Sequence, residues 1–430
     1  MLAALARALY SLLLWLATPV YLARLWWRGG KEVAYRRRIG ERLGLYALPP
    51  RRGQGGVVWI HAVSLGETLA AAPLIEALRA QLPSMRLLLT CSTATGVEAG
   101  KSLLQRADDQ TWLPYDTPGA VGRFLRRYRP AVGVIMETEV WPNLMHAARL
   151  AQVPMVLANA RLSVKSQRKG RRFDVLLRPA LASFTRVLAQ TARDAQRLRE
   201  SGAKPVEVCG NTKFDVTPPP RLQARGLEWR QALARPVVLM ASSREGEEQP
   251  LLDAWRALPE PRPLLLLVPR HPQRFDEVAA LVDRHAFSLR RRSSWGEQPP
   301  SDAANVDVWL GDSMGEMPLY YAASDVALLG GSFAKLGGQN LIEAAACGCP
   351  VVMGPHTFNF EEAAQLAIEA GAAVRMNDLN GAVRRAVALV SDPRRNDWVE
   401  QAFAFAGAHR GATERMAQRI SMLLTGLESV

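Results

Sequence analysis

From Val57 onward, apolar and polar positions follow one rhythm: a short apolar run, a Gly-bearing or polar turn, then a segment with helical spacing. That pattern predicts an α/β protein built on parallel sheets. Val57–Ala62 leads through Ser64–Gly66 into a helix over Glu67–Arg79, and Arg86–Thr90 leads through Ser92–Gly96. Ala131–Met136 passes through Glu137–Trp141 into a helix near Asn143, and Pro154–Ala158 ends at Asn159. After three consecutive prolines, Pro218–Pro220, the alternation restarts with strands predicted at Pro236–Ala241, Leu264–Val268, Val306–Leu310, Val326–Leu329 and Pro350–Met353.

Consecutive prolines continue neither a helix nor a central strand, so residues 216–222 are the predicted linker. The chain of 430 residues also exceeds one ordinary domain. The expected organisation is therefore an N-terminal segment over 1–28 and two Rossmann-like domains over 29–215 and 223–430, with the last helix free to cross back to the first. Ligands of such sheets sit beyond the carboxyl ends of the strands, so function is expected in the post-strand loops, facing a shared cleft.

The first 28 residues differ. Ala8–Ala23 is an uncharged, mainly apolar run of 16 residues between Arg7 and Arg24. As a helix it measures about 24 Å, against a hydrocarbon core of about 30 Å. Trp15, Tyr21, Trp26 and Trp27 suit a membrane interface, and nine basic residues against two acids follow between Arg24 and Arg52. A membrane anchor with a cytoplasmic body follows from that asymmetry. A cleaved signal peptide would need a small-x-small site before the body, and none precedes it; a buried helix of a soluble domain is the other reading.

Composition narrows the partners. Hydrophobic residues at 48% and charged residues at 22% describe a globular chain that is neither disordered nor polytopic. The net charge of +14 points to a polyanion. Because the surplus follows the apolar segment, it favours an anionic membrane surface over nucleic acid. A second basic stretch, Arg161–Arg178, is a solvated helix face or a docking surface for phosphate. The four cysteines have neither metal spacing nor the density of a disulfide framework, which fits a reducing cytosol.

The strongest local constellation is Gly330–Glu343, GGSFAKLGGQNLIE, between a predicted strand and a predicted helix. Its glycines let backbone N–H groups approach a phosphate, the helix start adds partial positive charge, and Glu343 lies where a ribose could be accepted. Arg270-His271-Pro272 and Gly311–Met317 (GDSMGEM) follow other strands of the same half, and arginine recognises phosphate bidentately. In the first half, HAVSLGET (His61–Thr68) puts Glu67 at a helix start beyond a strand. It serves there as a dipole-satisfying first-turn residue or as a base. The dipole would lower its pKa, so a base would need compensating desolvation. Glu137 and Glu139 share one face if the chain is extended, with a salt bridge as the structural alternative. There is no Asp-x-Asp pair and no Ser/His/Asp set, so no metal and no cofactor are expected.

Taken together, HAVSLGET, TEVWPN, GNTKFD (Gly210–Asp215), GDSMGEM and GGSFAKLGGQNLIEAAACGCPVVMGP resemble the 3-deoxy-D-manno-octulosonic acid (Kdo) transferases of lipopolysaccharide assembly. The resemblance runs from the N-terminal anchor to near the C-terminus. It implies a GT-B glycosyltransferase moving Kdo from CMP-Kdo, with inversion, to the lipid A precursor at the cytoplasmic face of the inner membrane. It further implies Glu67 as general base and Glu139 as a second required carboxylate. Donor contacts are implied at Arg270, His271, Gly315, Glu316, Met317, Ser332, Phe333, Gly337, Gly338, Asn340 and Glu343, and acceptor contacts at Ser64, Gly66 and Lys213. A nucleotide-sugar epimerase of the same fold is the alternative enzyme, and a non-enzymatic binder of anionic lipid or nucleic acid the alternative outside catalysis.

Overall fold

The computed structural model describes residues 1–30, 32–47, 49, 55–215, 217–233 and 235–425. Lys31, Arg51 and Arg52 of the basic stretch and Val216 of the linker lie outside them. The chain forms two compact units, one of residues 1–215 with 410–430 and one of residues 216–409.

The first unit carries a parallel sheet of β1 (Val57–His61), β2 (Arg86–Cys91), β3 (Asp109–Trp112), β4 (Val132–Met136), β5 (Met155–Ala160), β6 (Arg186–Ala189) and β7 (Val206–Val208), in the order β3-β2-β1-β4-β5-β6-β7. The second repeats the plan with β8 (Val237–Ser243), β9 (Leu264–Pro269), β10 (Leu289–Arg291), β11 (Val308–Leu310), β12 (Val326–Leu329), β13 (Val351–Met353) and β14 (Ala373–Arg375), in the order β10-β11-β9-β8-β12-β13-β14. In each sheet the strand order reverses beside the first strand, between β1 and β4 and between β8 and β12. That reversal opens a crevice for a ligand at the carboxyl edge.

The central strands are apolar without alternation because helices cover both faces. Val58 and Ile60 join one buried cluster with Leu74, Ile75 and Leu78, whereas Val57 and Trp59 join the other with Phe124, Leu144 and Met145. In the second unit Val238, Met240, Leu265, Leu267, Val326 and Leu328 pack with Leu252, Trp255 and Val383.

A helix already starts at Pro220, because a proline fits the first helical position, whose N–H needs no partner. The second unit ends at His409, and the last helix, Ala412–Thr425, packs on the first unit. Met416 and Ile420 enter the core there, Arg419 pairs with Glu207 at 2.8 Å, and Ser421 donates to Gln81.

The N-terminal helix is longer than the uncharged run, spanning Leu2–Arg28 with a mean hydropathy of 1.5 over its most apolar window. It lies on the first unit: the Tyr10 hydroxyl donates to Asp116 at 3.0 Å, Ser11 to Asn143 at 3.1 Å, and the Tyr21 ring meets Tyr115. Leu5, Leu9, Leu12, Leu13, Leu16 and Val20 remain exposed. Part of the basic surplus behind the helix is structural. Arg42 is buried with its guanidinium 4.1 Å above the Trp112 ring, and Arg36 donates to the Trp26 carbonyl.

Candidate active site

In the first unit the functional candidates gather at the carboxyl edge of the sheet, around the β1/β4 reversal. Ser64 caps the helix Leu65–Gln81 by accepting the Glu67 N–H at 3.4 Å, and Glu67 reaches back to accept the Val63 N–H at 2.8 Å. The glutamate thus grips the residue before the N-cap, a variant of the capping box, so the helix-cap reading of Glu67 is realised. It coexists with a reactive carboxyl. Burial raises the Glu67 pKa above the usual carboxylate value against the lowering effect of the Val63 N–H, and the charges of Glu137 and Glu139 raise it further. Desolvation therefore outweighs the lowering effect of the Val63 and Ser64 hydrogen bonds.

Glu137 and Glu139 have parted roles. Glu137 sits at φ 61°, a left-handed turn at the end of β4, so the premise of an extended pair fails. Its buried carboxylate accepts from Arg161 at 2.8 Å. Glu139 has no hydrogen-bond or ion-pair partner among the described residues, and burial raises its pKa. It borders a cavity of about 370 Å³ together with Arg161, Ser166, Arg171 and Leu177.

Lys213 belongs to the same neighbourhood. Burial lowers its pKa, while the negative charges of Glu137 and Glu67 pull the other way. It is positioned by residues that sequence reasoning missed. Asn159, at φ 51° and fully buried, accepts the Thr212 N–H at 3.1 Å; Gln190 donates to the Asn159 carbonyl; Asn211 donates to Gln190. Asn at the end of a predicted strand was the available signal, because Asn tolerates left-handed backbone. Gly66 is exposed at the second helical position.

The second unit gathers its candidates at the carboxyl ends of β8, β9, β11 and β12. The loop after β12 must approach β8 closely: a Cβ on Gly330 would lie 2.3 Å from the Ser242 carbonyl oxygen. Gly337, at φ 89°, has Asn359 2.4 Å from where its Cβ would be. The loop's N–H groups, however, are not a free phosphate cradle. The buried carboxylate of Glu247 accepts from Gly331 at 2.8 Å, Arg244 at 3.0 Å, Ala334 at 3.1 Å and Phe333 at 3.2 Å. These four N–H groups are thus taken by an internal carboxylate. Ser332 is likewise engaged internally. It is fully buried, donates to the Leu329 carbonyl and accepts the Gly354 N–H, so its side chain has nothing to offer a ligand.

Cations remain available. Arg270 is exposed just beyond β9, and the charges of Arg244, Arg270 and Arg274 reinforce burial in lowering the His271 pKa. Arg274 is neutralised by Glu248 at 2.7 Å and by Glu277, whereas Arg244 and Arg270 have no side-chain partner among the described residues. Gly315, at φ 79°, is exposed with open space around it. Glu316 pairs with Arg292 at 2.9 Å and accepts from Ser313 at 2.6 Å, which fixes the start of the helix Met317–Ala322. Met317 reaches Ser242, Phe333 packs against the core, and Gly338 N–H donates to the Gly331 carbonyl. Asn340 caps the next helix by accepting the Ile342 N–H; Glu343 is half-buried, and burial raises its pKa. Arg244 and Glu247 were missed because SSREGEE carries no motif.

No group of three His, Cys, Asp or Glu suited to a metal occurs among the described residues. Two doubly wound parallel sheets, each with its candidate residues at the carboxyl edge, follow the GT-B plan. The profile of the family described as "3-Deoxy-D-manno-octulosonic-acid transferase (kdotransferase)" matches residues 37–216. A 3-deoxy-D-manno-octulosonic acid transferase of Bordetella pertussis is 47% identical over 95% of this chain and 97% of its own, and one of Haemophilus influenzae is 35% identical over the same shares. The chain belongs to the Kdo transferase family. Among solved structures, a UDP-GlcNAc 2-epimerase from Neisseria meningitidis has TM-score 0.54 at 16% identity, covering 86% of this chain and 100% of its own. A glycosyltransferase from Rickettsia africae has TM-score 0.56 at 11% identity, covering 88% and 100%. Those likenesses concern the fold.

Proposed function

We propose that the protein transfers Kdo from CMP-Kdo to the lipid A precursor, with inversion, at the cytoplasmic face of the inner membrane. The observation that carries this reading is the Glu67 carboxylate. It is fixed by the Val63 N–H and Ser64, and its pKa is raised by burial, which makes a stronger base than an exposed glutamate. The acceptor hydroxyl oxygen attacks the anomeric carbon of Kdo and its proton passes to Glu67. The bond from that carbon to the phosphate oxygen breaks, and CMP leaves with the electron pair. Glu139 and Lys213 orient the acceptor, with Ser64 and Gly66 at its edge.

Arg270, Arg244 and His271 take the single phosphate of CMP; Glu343 and Asn340 take the ribose; the Gly315–Met317 turn reads the base. The Gly337-Gly338 turn shapes that pocket, and Phe333 supports it. Guanidinium groups supply the countercharge a sugar monophosphate ester needs, so no metal is invoked. The exposed apolar face of the Leu2–Arg28 helix, beside basic residues, supports attachment to an anionic membrane surface. The epimerase reading is supported only by the shared fold.

Incubating the protein with CMP-Kdo and the tetraacylated lipid A precursor tests the reading by mass spectrometry of the lipid. A product heavier by one or more Kdo residues is expected; an unchanged lipid with CMP-Kdo consumed would overturn it.

A further inference from the structure

A cavity of about 810 Å³ lies in the first unit away from the carboxyl edge. Its wall includes Pro130 and Ala131, which precede β4, and Val153, which precedes β5. Glu137 follows β4, so a strand of five residues, about 16 Å, separates the cavity from the candidate base's neighbourhood. The volume falls in the range of ligand pockets, roughly 300–1,000 Å³.

Its lining has two chemistries. Leu125, Ala147, Leu150 and Val153 give an apolar floor between the helices Pro118–Tyr128 and Pro142–Leu150, and Leu150 is 67% exposed at its rim. Arg7, Arg126 and Arg129 surround it, and none has an ion-pair partner among the described residues. His146 is also in the wall, and burial, with the charges of Arg7 and Arg149, lowers its pKa. Arg7 belongs to the N-terminal helix, whose exposed leucines continue from the same edge. An apolar trough ringed by unpaired guanidiniums beside an apolar helix matches a molecule with a hydrocarbon tail and a phosphodiester head.

We infer that this groove binds one anionic glycerophospholipid of the bilayer, its acyl chain along Leu125, Leu150 and Val153 and its phosphate at Arg7, Arg126 and Arg129. The inference rests on the membrane attachment proposed above. The bound lipid fastens the first turns of the N-terminal helix to the body and holds the first unit in one orientation on the membrane.

The test uses the full chain, delipidated in detergent, with native mass spectrometry of retained phosphatidylglycerol against phosphatidylcholine of the same acyl chains. One phosphatidylglycerol is expected to be retained in preference. Arg126→Glu with Arg129→Glu should weaken that retention at least about tenfold. The equal charge change Lys204→Glu with Arg384→Glu, at exposed positions elsewhere, should leave it unchanged. Leu150→Asp, which keeps the arginines, should weaken both lipids. Equal retention of the two lipids, loss in the control pair, or displacement by glycerol phosphate alone would overturn the site. Flotation with phosphatidylglycerol-containing vesicles separates the two readings. A protein that floats but shows no phosphatidylglycerol preference refutes the groove alone, whereas one that never floats refutes membrane attachment as well.

Discussion

The glutamate inside the glycine-rich loop offers a quantitative test. Glu247 is buried and accepts four backbone N–H groups, two on each carboxylate oxygen. In Glu247→Gln one amide oxygen keeps two of them, while the NH₂ group faces the other two donors. Each orphaned buried donor costs about 1–3 kcal/mol, so the loss is about 2–6 kcal/mol. The carboxylate's own desolvation cost, visible in its raised pKa, disappears in the amide and offsets part of this. A net destabilisation of about 1–4 kcal/mol remains. Urea unfolding of the purified chain measures it, and calorimetry with CMP reads whether the loop keeps its shape for the donor. We expect a lower unfolding midpoint of the second unit and CMP binding weakened by about tenfold, which corresponds to about 1.4 kcal/mol. An unchanged midpoint with unchanged CMP affinity would refute the reasoning that this carboxylate holds the loop.

His61 is fully buried on Thr90 and its pKa is lowered to about 4. Its stabilising contribution is complete above the unfolded value near 6.5 and is lost as pH falls through 4, by about 3 kcal/mol; urea midpoints against pH check this, and His61→Gln should flatten the slope. Arg244→Ala removes an unpaired cation from the donor edge and should weaken CMP binding by about tenfold in calorimetry while leaving the unfolding midpoint in place. Leu12→Glu with Leu16→Glu charges the exposed face of the N-terminal helix and should release the protein from vesicles in a flotation assay; retained flotation would show that another surface holds the membrane.

The sequence rhythm located every inner strand of both sheets except β6, because those strands are buried on two faces and read as unbroken apolar runs. It passed over β3, β7, β10 and β14, the four edge strands, and β6 beside one of them. Edge strands are short and half-polar, as in Leu-Arg-Arg of β10 and Val-Glu-Val of β7, so neither periodicity stands out. The last helix could not be assigned to a unit from its sequence, since an amphipathic face carries no address for its partner. At the candidate site, Glu67, Glu139 and Arg270 stood out in the sequence because each lies in the segment just beyond a strand. The left-handed turn at Glu137 was not, because a non-glycine at positive φ is set by the packing around it rather than by its own preference. The role of Glu247 was invisible for a similar reason. A carboxylate that satisfies a loop distant in sequence leaves no local pattern.

The central claim is that Glu67 takes the acceptor's proton. Glu67→Gln keeps the side chain's shape, so single-turnover transfer of Kdo from CMP-Kdo to lipid A precursor, measured beside calorimetric CMP binding, isolates the base. The account predicts transfer slowed by about 10²–10⁴-fold with CMP affinity unchanged. Transfer at the unaltered rate in a folded, CMP-binding Glu67→Gln protein would contradict it.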